Sequence, residues 1–204
     1  MKKIFLCSYF AGVGEQFKAF IQTSNIKTNK VLFIPTAGNV EEYTGYIDEG
    51  RQVLTSLHYK VDELNIDKED TEYVANKISA ANMIYISGGN TFYLLQELKR
   101  KNLLPLLINE INSGVPYIGE SAGAIILAPS IEYNKIMDDT QIAPDLKDYT
   151  GLNITDFYTL PHFIEPPFTD SVQETFKTYK DQLNLLAINN SQAIIVNEDN
   201  YKVI

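Results

Sequence analysis

The chain has no tryptophan, one cysteine, two histidines and two arginines (Arg51 and Arg100) in 204 residues. Each shortage excludes something. A lone Cys7 cannot form an internal disulfide, so the fold must rest on packing. Cys7 ends the apolar run Ile4–Cys7 and reads as a small core residue of a buried strand. A catalytic or metal-binding thiol would need a nearby histidine, and His58 and His162 lie far along the chain. No segment approaches the roughly 20 consecutive apolar residues of a membrane span, so no membrane partner is expected. The opening Met1-Lys2-Lys3 has the charge of a secretory leader, but the apolar stretch behind it stops at Ser8, short of the roughly 7–15 residues a leader needs. The cytoplasm is the expected compartment. Positive charge is also short: 17 Lys and Arg against 26 Asp and Glu give a formal net charge of −9. That balance argues against a nucleic-acid partner and gives no long-range attraction for an acidic substrate.

What is present suffices for a core. Hydrophobic residues make up 45% of the chain, and 13 tyrosines and 10 phenylalanines supply aromatic bulk. Short apolar runs alternate with amphipathic stretches. Lys3–Ser8, Val31–Ile34, Lys60–Ile66, Met83–Ile86 and Val115–Ile118 read as strands; Gly14–Thr23, Glu41–Leu57, Thr71–Ala80, Thr91–Lys101 and Leu104–Asn112 read as helices. Strands separated by helices imply an α/β fold with a mostly parallel sheet covered on both faces. Beyond residue 130 the pattern loosens. Glu132–Thr150 reads as a long polar surface loop, Phe157–Leu160 as a strand and Ser171–Gln182 as a helix. Leu185–Ile188 and Ala193–Val196 flank Asn189–Gln192 as a β-hairpin would. No repeat, low-complexity tract or linker divides the chain, so residues 1–204 are expected to form a single domain.

The strongest motif is Gly119-Glu120-Ser121-Ala122-Gly123, which has the Gly-x-Ser-x-Gly form of a nucleophile elbow. An apolar strand precedes it and a helical segment, Ala124–Leu127, follows. A sharp strand-to-helix turn strains the serine backbone, and small flanking residues let the chain cross closely. A glycine-rich turn with an incidental serine would need no such flanks. The hydroxyl is then held above the sheet edge, beside backbone N–H groups able to stabilise an oxyanion. A serine needs a base. His58 ends an amphipathic helix and suits a partly exposed terminus. His162 follows an apolar strand and a proline, so it too lies past a strand end, and it is the candidate base. For the carboxylate that orients such a base, Asp138, Asp139, Asp145, Asp148 and Asp156 all fall between serine and histidine, and the residues alone do not choose among them. Gly88-Gly89-Asn90-Thr91 closes a strand and opens a helix. By itself it is a tight turn with a polar N-cap; beside an elbow, Gly89 N–H becomes the second oxyanion donor, with Ala122 N–H the first.

Taken in order, the Gly88–Thr91 turn with its leucine-rich helix, the Gly-x-Ser-Ala-Gly elbow and Pro161-His162-Phe163 resemble the peptidase E family, the aspartyl dipeptidases and the related cyanophycinases. The resemblance covers nearly the whole chain. It implies a three-layer α/β/α fold similar to class I glutamine amidotransferases, a serine nucleophile with a histidine base, and no metal or cofactor. The substrate it implies is a short peptide, dipeptides with N-terminal Asp among them. Carried over residue by residue, Ser121 matches the nucleophile, His162 the base and Gly89 the glycine turn of the oxyanion hole, while the acidic member falls at Asp139 or Asp138. One departure bears on specificity. Aspartyl dipeptidases carry basic residues after the histidine; here Ile164–Asp170 holds Glu165 and Asp170 and no Lys or Arg, which points to weaker selectivity for N-terminal Asp. Two other readings stay open. A carboxylesterase of the α/β-hydrolase type would share the elbow, although the chain is short and no His-Gly-Gly-Gly segment precedes Ser121. A non-catalytic binding protein could use the same scaffold, although Ser121 and His162 together argue against a decayed site. Monomer and homodimer both fit.

Overall fold

A computed structural model describes residues 1–198 and 200–204. Among the described residues the first half runs β1 (Lys3–Cys7), α1 (Gly14–Thr23), β2 (Lys30–Ile34), α2 (Gly45–Ser56), β3 (Lys60–Glu63), α3 (Thr71–Ser79) and β4 (Ile84–Ile86). It continues through α4 (Thr91–Arg100), α5 (Leu104–Ser113), β5 (Tyr117–Glu120) and the short α6 (Ala122–Ile125). The remainder is β6 (Tyr158–Leu160), α7 (Thr169–Tyr179), β7 (Leu185–Ala187), β8 (Ala193–Asn197) and β9 (Asn200–Val203). Seven strands form one sheet in the order β3-β2-β4-β5-β1-β8-β9. The first five are mutually parallel, and β8 and β9 add antiparallel at one edge. The fold is α/β with a mostly parallel sheet, as expected.

Alternation along the strands builds two cores. Ile4 and Leu6 of β1 point to one face with Leu32, Ile34, Ile84 and Ile86, where the apolar sides of α3, α4 and α5 cover them. Phe5 and Cys7 point to the other, into a cluster with Phe17 and Phe20 of α1, Leu54 of α2, Phe33 and Tyr85. Burying each such side chain contributes about 1.5–3 kcal/mol, so neither face could be left open. Cys7 is a core residue here, fully buried on β1. Helix ends follow local chemistry. Asp70 caps α3 by accepting Tyr73 N–H (2.8 Å), Asn90 caps α4 by accepting Tyr93 N–H (2.9 Å), and Gly114, at φ +101°, closes α5 in the left-handed region.

Two expectations are corrected. Leu185–Ile188 and Ala193–Val196 do not form a hairpin. β7 pairs in parallel with β6 as a separate two-stranded sheet, while β8 enters the main sheet beside β1 and turns back into β9. Asn189–Gln192 therefore links two sheets, and its polar side chains serve the site rather than a tight turn. The 132–150 segment is also not a free surface loop. It forms two 3-10 turns, Glu132–Ile136 and Thr140–Ile142, and buries Tyr133, Asn134 and Leu146. The Tyr133 hydroxyl donates to the Thr159 carbonyl and pins the segment against β6.

Candidate active site

The elbow is a steric solution. Ser121 sits at φ +47°, ψ −107°, a conformation a side chain adopts only under constraint. Two close crossings impose it. A Cβ on Gly119 would lie 2.5 Å from the Gly123 carbonyl oxygen, and one on Gly123 would lie 2.2 Å from the Ile86 carbonyl oxygen. Both glycines of the motif are thus required by backbone contact. The turn is anchored by Ser121 N–H to the Cys7 carbonyl (2.9 Å), and Ser121 then opens α6.

His162 reaches the serine from the second sheet. Its Nε2 lies 3.0 Å from Ser121 Oγ, across 41 residues of chain. It follows β6 at φ +58°, held from below by its own N–H donating to Ser8 Oγ (3.0 Å), while that hydroxyl donates to the Ile188 carbonyl (3.0 Å). Phe168 stacks on the imidazole, with ring centroids 4.6 Å apart and planes 25° from parallel. His162 Nδ1 lies 2.9 Å from Asn190 Oδ1. An amide oxygen only accepts, so Nδ1 carries the proton and Nε2 presents its lone pair to Ser121. Burial lowers the His162 pKa below its ordinary 6.5, opposed by the Asn190 hydrogen bond and by the charge of Glu165. Glu165 also accepts the Asn190 N–H at 3.3 Å.

The candidate carboxylates do not meet His162. Asp138 Oδ2 accepts the Thr91 N–H (2.8 Å) and the Asn134 side-chain amide (2.8 Å), so it fastens the 3-10 segment to the start of α4. Asp139 caps the Thr140–Ile142 turn through Gln141 N–H (2.8 Å). Asp145, Asp148 and Asp156 are exposed. The group on Nδ1 is Asn190, which the hairpin reading hid. The usable signal was an Asn-Asn pair directly after an apolar run, once that run is seen as a parallel neighbour of β6. Its carboxyl end then falls beside Pro161-His162. Ser8 was missed for a similar reason, since it lies just past the end of β1.

Gly89 and Ala122 flank the serine. Gly89 has φ +126°, and a Cβ there would lie 2.2 Å from the Ala37 carbonyl carbon, so no other residue fits. Neither the Gly89 nor the Ala122 N–H donates to a protein acceptor among the described residues. His58 is exposed just after α2 and takes no part. Ser121, His162 and Asn190 border a cavity of about 440 Å³ that is also lined by Tyr9, Tyr43, Tyr46 and Phe168 and by Glu41, Glu49, Glu120 and Asp138. No lysine or arginine lines it among the described residues. Arg51 is held by Asp48 and Glu63, and Arg100 by Glu97. The Tyr46 hydroxyl is buried without a hydrogen-bond partner, and burial and the charge of Glu41 raise its pKa. Among the described residues no three His, Cys, Asp or Glu side chains are grouped so as to hold a metal ion. No helix there is long and apolar enough to cross a membrane.

The chain is similar to known proteins over most or all of its length. An uncharacterized peptidase of Pasteurella multocida strain Pm70 is 44% identical over 199 residues, 98% of this chain and 95% of its own length. Peptidase E of Nostoc sp. strain PCC 7120 is 30% identical over 79% of this chain and 66% of its own. The 1.5 Å crystal structure of a candidate peptidase E from Listeria monocytogenes EGD-e superposes with a TM-score of 0.94 at 41% identity, covering 100% of this chain and 98% of that one. A peptidase from an acI-B1 Actinobacterium shares the fold at a TM-score of 0.74 and 22% identity, over 100% of this chain and 87% of its own. The family model of peptidase family S51 matches residues 7–204. Because that match spans nearly the whole chain, the chain belongs to peptidase family S51 and is a serine-type peptidase.

Proposed function

We propose that this chain, acting as one domain, hydrolyses short peptides with a free N-terminal amine through Ser121, His162 and Asn190, and that among them N-terminal Asp is not preferred. The observation that carries the chemistry is the unbroken hydrogen-bonded line from Ser121 Oγ through the imidazole to Asn190 Oδ1. His162 Nε2 takes the serine proton as Oγ attacks the peptide carbonyl carbon. The carbonyl oxygen becomes an oxyanion between the Gly89 and Ala122 N–H groups. His162 then gives its proton to the leaving nitrogen, and water repeats the sequence on the acyl-enzyme. Asn190 fixes the tautomer but brings no charge. Glu165, one hydrogen bond further out, supplies the negative field that favours imidazolium.

The cavity argues for the substrate. An Asp side chain entering it would meet Glu41, Glu49 and Asp138 with no cation to receive it, whereas an ammonium would find carboxylates and the free Tyr46 hydroxyl. The test is kcat/KM for a series of X-Leu dipeptides and their N-acetyl forms, with Ser121→Ala as the control. Free peptides should outpace acetylated ones, and Asp-Leu should rank low. Equal cleavage of acetylated peptides would defeat the free-amine requirement. An Asp-Leu preference above about a hundredfold, some 2.7 kcal/mol, would mean that a cation reaches the pocket after all.

A further inference from the structure

Glu120 stands directly before the nucleophile, is 1% exposed, and is not used in the chemistry above. A carboxylate in such a place must be satisfied or it would not stay buried. Two donors hydrogen-bond to it from two segments: its Oε1 accepts the Phe10 N–H at 2.8 Å and its Oε2 accepts the Tyr85 hydroxyl proton at 2.6 Å. From a third segment the Gly88 N–H favours its charged form. Each connection leads to the site. Gly88 precedes Gly89, whose N–H faces the developing oxyanion. Phe10 lies two residues beyond Ser8, whose hydroxyl holds the His162 backbone. Tyr85 lies on β4, the strand that ends in the glycine turn.

We propose that Glu120 is a positioning residue: its carboxylate holds the Phe10 amide and the Tyr85 hydroxyl beside the Gly88 turn and so sets the oxyanion turn and the Ser8–His162 contact around Ser121. The proposal rests on the serine-hydrolase reading given above. A carboxylate accepts from both donors at once. A protonated carboxyl has a donor of its own to place and holds them less firmly. The ionisable groups facing Glu120 are Cys7 from β1, Tyr9 from the following turn, Tyr46 and Glu49 from α2, and Tyr85 from β4. The thiol and the phenols are all raised and stay neutral, Glu49 adds like charge, and no cation offsets it. Burial therefore pushes Glu120 up to about 7, against the pull of the Phe10, Tyr85 and Gly88 donors.

Two groups then have to lose a proton before the site works: His162, to act as base, and Glu120, to clamp. The rate of Ser121 labelling by a fluorophosphonate, followed against pH on the folded protein, reads both. Wild type should show an acid limb that falls with two protons, its upper ionisation near neutrality. Glu120→Gln should show a one-proton limb displaced to lower pH, with a plateau about tenfold or more below wild type, less than the roughly 10²–10³ lost when an oxyanion donor is removed outright. Tyr85→Phe removes one hydrogen bond from the carboxylate and should move the upper ionisation to higher pH, which keeps the test decisive if Glu120→Gln does not fold. A one-proton limb in wild type, an unchanged limb and plateau in Glu120→Gln, or an unmoved limb in Tyr85→Phe overturns the role of Glu120 alone. No labelling of Ser121 at any pH overturns the hydrolase reading and this proposal with it.

Discussion

The two halves of the site are built in opposite ways. The elbow is local: within five residues, two glycines and a strained serine are forced together by contacts of Gly119 and Gly123 with neighbouring backbone. The shelf that carries His162 is assembled from distant pieces. His162 comes from the end of β6, Asn190 follows β7, Ser8 follows β1, and Phe168 closes over the ring. One half is rigid because nothing else fits. The other is held by single hydrogen bonds between segments up to 180 residues apart. Substitutions in the elbow should therefore fail sharply and those on the shelf by degrees.

The largest effect tests whether the halves act as a unit. Ser121→Ala and His162→Ala should each lower peptide turnover by a factor on the order of 10⁶, and the double variant should be no worse than either. Circular dichroism should show all three folded. Additive losses would mean that serine and histidine work independently. Next in size is a change inside the elbow that touches no catalytic group. Gly123→Ala puts a Cβ 2.2 Å from the Ile86 carbonyl oxygen, and backbone cannot yield as a side chain can. A loss of about 3 kcal/mol or more in urea unfolding is expected. A loss under about 1 kcal/mol would show that the crossing relaxes and that the elbow is softer than its geometry implies.

Legibility followed the same division. The elbow was readable because its chemistry and its sterics occupy one short segment, and the alternating apolar runs gave the parallel sheet because doubly covered strands must be apolar on both faces. His162 was readable because histidine is so scarce here. Its partner was not. Choosing Asp138 or Asp139 assumed a carboxylate on Nδ1, and only the pairing of β6 with β7, a contact between residues 27 apart in register, brings Asn190 to the ring. The Asn189–Gln192 stretch has the composition of a hairpin turn, and local turn chemistry cannot say which strand lies alongside. Glu120 was visible as a letter of the motif, but its burial and its donors belong to tertiary structure.

That buried carboxyl gives a third effect, on stability. In the folded state it keeps its proton up to about pH 7, whereas its ordinary value is 4.5. Between those values the folded chain binds more protons than the unfolded one, so stability is greatest below the lower value and falls as pH rises through the window. Glu120→Gln lacks this ionisation. The difference in unfolding free energy between variant and wild type should shift toward the variant by about 3 kcal/mol from acid to mildly alkaline pH. Urea titrations at both ends of the window measure it. A constant difference would mean that the carboxyl titrates normally and that the elbow stores no such cost.

The smallest effect probes the shelf. Asn190→Asp keeps the atom that faces Nδ1 and adds a charge. A negative group against the imidazolium favours protonation, so the His162 pKa should rise from its lowered position, and activity should begin to fail at higher pH as the solution is acidified. Above that point the charge also stabilises the imidazolium formed as Ser121 attacks, so the plateau should hold or increase. Asn190→Ala, by contrast, frees the ring to rotate and should lower the plateau by a factor of about 10–100 without raising the pKa. Both follow from pH–rate profiles on one peptide. If Asp lowers the plateau as Ala does, Asn190 is doing more than orienting the ring, and neutrality at that position is itself required by the acidic cavity beside it.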